Sequence, residues 1–118
     1  MKYKIHQIIL NKAERAIVNE KGHYALDKQH RKIDMDFADN DEIKKLANES
    51  WSAGDYDYVA DITADNLDEV YYVGNMDMLR EENPQINDIG GMHSVSIGNI
   101  IEADGSKWVV AGYGFVQI

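Results

Sequence analysis

The chain has no cysteine, a single proline and no long hydrophobic run among its 118 residues. Without cysteine there can be no disulfide, no thiolate nucleophile and no cysteine-ligated metal, and the composition suits a reducing cytoplasm. The N-terminal stretch MKYKIHQIIL is slightly basic, but its apolar run covers only Ile8 to Leu10. That is far too short for a signal-peptide core or a membrane span, so a cytosolic protein is expected. The lone Pro84 lies in the polar stretch REENPQIND, which reads as a loop. There is no internal repeat, no low-complexity tract and no linker, and the length fits one domain with one core.

Basic residues are also scarce, and unevenly so. Residues 1–40 hold eight Lys/Arg against six Asp/Glu, a net of +2, whereas residues 41–118 hold four against fifteen, a net of −11. No Lys or Arg occurs between Lys45 and Arg80, an interval containing Glu49, Asp55, Asp57, Asp61, Asp65, Asp68, Glu69 and Asp77. Such a block repels nucleic acid and attracts basic surfaces, although a solubilising role is the simpler alternative.

Alternation in residues 2–10 predicts a strand with Tyr3, Ile5 and Ile9 on one face. Asn11 with Glu14 has the spacing of a capping box. Ala13, Ala16 and Ile17 would form the stripe of the helix it starts, and Gly22 would close it. Ile33, Met35 and Phe37 alternate as in a strand. Asp39 with Glu42 predicts a second helix start, with Ile43, Leu46, Ala47 and Trp51 at helical spacing and Gly54 at the end. YDYVADI, residues 56–62, places Tyr56, Tyr58, Ala60 and Ile62 on one face and Asp57, Val59 and Asp61 on the other, as in a half-buried strand. Thr63 or Asp65 would cap a third helix striped by Leu67, Val70 and Tyr71 and stopped at Gly74-Asn75. Strands over 95–101 and 107–111 flank an Asp104-Gly105 turn, a strong hairpin signal, and 113–118 forms a last strand entered over Gly112 and Gly114. The fold class expected is α+β: a small, mostly antiparallel sheet, barrel-like in one version, with two or three short helices.

Several chemistries fail on spacing. Ser94-Val95-Ser96-Ile97-Gly98 lacks the first glycine of a nucleophile elbow, and no histidine follows Ser96. Gly112-Tyr113-Gly114 lacks the third glycine and the helix of a dinucleotide fingerprint. Asp55, Asp57 and Asp61 lack the glycine and the final acid of a calcium loop. His6, His23, His30 and His93 form no short metal pair, so no metal or cofactor is expected. Trp51, Trp108, Tyr56, Tyr58, Tyr71 and Tyr72 could stack bases, but all except Trp108 lie in the most acidic part of the chain, where phosphate would be repelled. What survives is a polar pocket of His93, Ser94, Ser96 and Asn99, with His93 as a neighbouring base. The alternative is that these groups only bond backbone beside a glycine bend.

YDYVADITADNLDEVYYVGN followed by MHSVSIGNIIEADGSKWVVAGYGFVQI resembles the YodL-like group, a family of small proteins of phages and mobile elements. The resemblance covers residues 56–118 and rests on His93, Ser94, Ser96, Gly98, Gly114 and Phe115, with Asn99 where the family usually has Asp. It implies a phage-encoded protein acting in host cytoplasm and no particular reaction. Together with the charge asymmetry, it leads to the expectation of a non-enzymatic accessory protein. Its acidic segment would meet a basic host protein, as an inhibitor of a defence factor or a nucleic-acid mimic, without contacting nucleic acid or membrane itself. A ligand-binding or hydrolase-like site at His93 and Ser96 is the first alternative. A structural scaffold is the second, and homodimerisation through a sheet edge is compatible with any of these.

Overall fold

The computed structural model describes residues 1–75 and 82–118. Six strands form one antiparallel sheet: β1 (Lys2–Ile8), β2 (Tyr56–Thr63), β3 (Ile86–Asp88), β4 (Ile100–Ala103), β5 (Ser106–Val110) and β6 (Phe115–Gln117). Their order is β3-β2-β1-β4-β5-β6. The fold is α+β, as composition and periodicity imply, but the sheet is open, with β3 and β6 as its edges, and is not a barrel. Among the described residues four α-helices accompany it, not two or three: α1 (Lys12–Lys21), α2 (Asp27–Asp36), α3 (Asn40–Ser52) and α4 (Leu67–Gly74). No helix among the described residues is long and apolar enough to cross a membrane.

Both faces of the sheet are covered, giving two cores. On one side Tyr3, Ile5, Ile62, Ile101 and Val110 pack with Val70 and Val73 of α4 and with Met92 and Val95. On the other, Ile8, Ile100 and Val109 pack with Met35 of α2 and with Ile43 and Ala47 of α3. Successive strand residues alternate between the two sides, which is why β1 is buried along most of its length.

A bulge breaks the alternation expected of β2. The β1–β2 register shifts between Ile5, opposite Ala60, and His6, opposite Tyr58, so Val59 is the extra residue. Ala60 and Ile62 therefore face α4, while Tyr56 and Tyr58 face the α3 side with His6 and Ile8. Asp61, expected on an open face, is buried.

Local signals explain the helices unevenly. In the Asn11–Glu14 capping box, Glu14 N–H donates to Asn11 Oδ1 at 2.8 Å and Asn11 N–H donates to Glu14 Oε1 at 2.9 Å. Gly22 closes α1 with φ of 94°. The residue that α1 buries is Val18, whereas Ala13, Ala16 and Ile17 are exposed. Residues 33–37 belong to α2 and its C-cap, not to a strand: Met35 enters the core and Phe37 is left outside. Three alternating apolar residues are too few to separate the two periods. Helix α3 starts at Asp39, whose Oδ1 accepts from Glu42 N–H at 2.8 Å. Helix α4 is capped by Asn66 rather than Thr63 or Asp65. The Asp104-Gly105 turn has φ of 51° and 78° at its two residues, the type I′ geometry that closes β4 onto β5. Strand β4 begins only at Ile100, so residues 95–99 are not strand, and the Pro84 loop leads into β3, which the polar sequence had hidden.

Candidate binding surface

The acidic block does not form one surface. Asp55 is 6% exposed and Asp61 is 7% exposed. Asp55 Oδ2 accepts from Arg31 Nε at 2.9 Å and lies 2.8 Å from Arg31 Nη2, tying α2 to the start of β2. Asp61 accepts a hydrogen bond from the Tyr58 hydroxyl. Glu69 is half-buried, with Oε2 accepting from Asp65 N–H and Oε1 accepting from Gln85 Nε2. Glu49, Asp57, Asp65 and Asp68 are exposed. Glu49 rides on α3 and Asp68 on α4, so the sheet stands between them. Asp77 lies outside the described residues.

The second expected site is organised around Gln7, a buried residue of β1 that the sequence did not single out. Gln7 Nε2 donates to His93 O at 2.9 Å and to Asn99 Oδ1 at 3.1 Å, while Gln7 Oε1 accepts from His93 N–H at 2.9 Å. Asn99 Oδ1 also accepts from Ser96 N–H at 2.9 Å. Both contacts use the Asn99 oxygen as an acceptor, which a carboxylate would match. Nearby, Asn75 Nδ2 donates to Val95 O at 3.0 Å, linking α4 to the same segment. Asn99 is buried, and His93, Ser94 and Ser96 are exposed. The main chain of 93–96 is thus held by the side chains of Gln7, Asn99 and Asn75. Gly74 permits the close approach, since a Cβ there would meet Val95 Cγ2 at 2.3 Å.

A third polar group, on the α3 side, joins residues far apart in sequence. His6 Nε2 lies 3.0 Å from Glu102 Oε1, and the His6 ring meets Trp51 edge-on at 4.9 Å and Tyr58 at 5.5 Å. The Lys107 ammonium sits 4.2 Å from the Trp51 ring centre. Burial lowers the His6 pKa below 6.5, with Glu102 opposing it. The Tyr58 phenol is pushed up to about 12, chiefly by its hydrogen bond to Asp61. Burial also pushes the Tyr56 phenol upward. Tyr56 donates to Gly98 O at 2.7 Å, which anchors the glycine bend to β2. Among the described residues no group of three or more His, Asp or Glu could hold a metal ion.

Among the large hydrophobic side chains of the described residues, the most exposed stands on the turn between β5 and β6. Ala111 N–H donates to Gly114 O at 2.9 Å, Gly114 has φ of 76°, and Tyr113 at the crest is 96% exposed. A cleft lies on each side of it. On the α4 side, 290 Å³ is bounded by Asp68, Tyr71, Ile97, Val110, Gly114 and Phe115. On the α3 side, 550 Å³ is bounded by Ala38, Asp39, Asn40, Asp41, Gly112 and Tyr113. No described Lys or Arg lines either cleft. Phe37, 86% exposed, directly precedes the second group, and Tyr71 is 44% exposed beside the first. Sequence reading gave Tyr113, Phe37 and Asp39 structural places only and did not name Asp41, although an aromatic held between two glycines at a turn is a residue with little chance of burial.

No family model matches the chain, and no curated protein or solved structure is significantly similar to it.

Proposed function

We propose that this chain is a non-enzymatic binding protein that holds a basic segment of a partner protein at the Tyr113 turn. The observation that carries this reading is a 96%-exposed tyrosine standing between two clefts edged by Asp68 on one side and Asp39 and Asp41 on the other. Exposed Tyr and Phe supply contact area at small entropic cost, and tyrosine is favoured at the centre of protein interfaces. Acid-edged clefts suit Lys and Arg side chains and disfavour phosphate, which speaks for a protein partner over nucleic acid. The acidic character foreseen for residues 49–77 thus enters through Asp68, joined by acids from the α2–α3 corner. What supports a host-cell partner met in the cytoplasm is the likeness of residues 56–118 to the YodL-like phage proteins.

The test is affinity capture from host lysate with the tagged full chain, wild type against Tyr113→Ala, at low and high salt. A basic protein retained by wild type, lost with Tyr113→Ala and weakened by salt is the expected result. Retention unchanged by Tyr113→Ala would refute the reading, because the exposed side chain can be removed without disturbing the fold.

A further inference from the structure

We infer that the basic segment binds as an added strand along β6, extending the sheet; the inference rests on the binding role proposed for the Tyr113 turn. The register of the last hairpin decides which backbone groups face outward. Ala111 N–H bonds Gly114 O and Ile118 N–H bonds Lys107 O, each at 2.9 Å. With Val109 opposite Val116, the bonded pairs are therefore Ala111/Gly114, Val109/Val116 and Lys107/Ile118. The N–H and C=O groups of Phe115 and Gln117 then point away from β5, along the free edge.

Free edges normally carry a guard against pairing, and the two edges here differ in this. Edge β3 is preceded by Pro84, and Asp88 turns its carboxylate back to accept from Gly91 N–H at 3.1 Å. Edge β6, Phe115-Val116-Gln117, contains no charge and no proline. The surroundings specify what would pair with it. Phe115 packs on the α4 side and Val116 on the α3 side, so successive side chains of an added strand fall alternately on those two sides. At the β5–β6 turn the two sides hold the clefts edged by Asp68 and by Asp39 and Asp41. Two adjacent basic residues at one end of an extended segment would place one side chain in each. Backbone bonds to Phe115 and Gln117 would supply affinity and the paired clefts specificity, the division usual in strand addition. A second copy of this chain is disfavoured as the occupant, because each copy carries a net charge of −9.

The probe is the acetylated, amidated peptide Lys-Lys-Thr-Val-Thr-Lys-Lys, titrated into the full chain with amide hydrogen exchange as one readout. Slowed exchange at Phe115 and Gln117 on binding is expected. Gln117→Pro deletes one outward N–H and leaves the β5 ladder intact, because proline is accepted at such an edge position. It should weaken peptide binding at least about tenfold, whereas Gln117→Ala should keep it within about threefold. N-methylation of alternate peptide amides, read on the wild-type chain, should produce the same loss in one of its two registers and serves if Gln117→Pro fails to fold. Binding insensitive to Gln117→Pro and to both methylation registers, yet lost with Tyr113→Ala, overturns strand addition and leaves the Tyr113 role standing. Insensitivity to Tyr113→Ala as well removes both. No peptide binding, or a dimer formed through β6 in its place, also overturns the inference.

Discussion

Residues 92–99 and residues 111–115 look alike as sequence: each has a glycine bend, each has polar or aromatic residues, and each adjoins a strand. The fold gives them opposite roles. The first turns its main chain inward, where Gln7 and Asn99 hold the amides of His93 and Ser96, and it seats Met92 and Val95 in a core. The second closes on itself through the Ala111–Gly114 bond and sends Tyr113 outward. A serine-histidine-glycine cluster reads as chemistry only while the destinations of its backbone bonds are unknown. Those bonds, more than residue type, separate a structural segment from a presenting one.

The sharpest way to break this contrast is to remove the hub. Gln7→Leu strands the His93 N–H and His93 O without their partner, removes one of the two donors to Asn99 Oδ1, and should cost about 2–4 kcal/mol in denaturant unfolding. A cost below about 0.5 kcal/mol would mean that the 92–99 segment does not depend on Gln7. Next, Gly74→Ala drives a Cβ into Val95 and should destabilise the chain by about 1–3 kcal/mol. The same substitution at Gly112, which has open space for a Cβ, should be felt far less in thermal unfolding. Smaller still, Tyr113→Ala should shift stability by no more than about 0.5 kcal/mol while weakening partner binding about thirtyfold. The double variant His93→Ala, Ser96→Ala should leave binding unchanged. If it abolishes the biological effect and Tyr113→Ala does not, the presenting segment is the other one.

The α3-side group offers a milder test through pH. Burial sets the folded His6 pKa below the unfolded 6.5, so below about pH 6.5 the unfolded chain binds the proton more readily. The stability associated with neutral His6 is present above that pH and declines as pH falls toward the lowered folded value. Urea midpoints measured between about pH 7.5 and 5 should therefore fall, and fall less in His6→Gln. An equal slope in both chains would remove His6 as the cause. The slightest effect is spectroscopic: Asp61→Asn should bring the Tyr58 phenol down from about 12 toward its ordinary 10.0, read by ultraviolet titration against wild type.

Much of the fold was legible where a local device determines the backbone. The Asn11–Glu14 box, the Asp39 cap and the Asp104-Gly105 turn each occupy the expected place, because a side-chain bond or a positive φ needs no distant partner. Helix α2 was not legible: it buries only Gln29 and Met35, too thin a stripe to set a period. The site was less legible still. The clefts beside Tyr113 join residues 38–41, 68–71 and 110–115, and the His6 group joins β1, β2, α3, β4 and β5. Such neighbourhoods arise from strand order, which no short-range pattern encodes. The burial of Asp55 was hidden for a like reason, since its partner Arg31 comes from α2, 24 residues away.

The extra residue in β2 has a consequence of another kind. Flattening the bulge, with Val59 kept as a regular strand residue, would restore perfect alternation and make this strand the tidiest amphipathic segment in the chain. It would also bring Tyr56 and Tyr58 to the same side as Ala60 and Ile62, against α4, and empty their places beside Met35, Trp51 and His6. Parity here is inherited information. One residue added or lost elsewhere along this strand reassigns every side chain on one side of the change, whereas loss of Val59 itself would leave each on its present side, so lineages of this fold should tolerate substitutions in β2 far more readily than changes in its length at any other position.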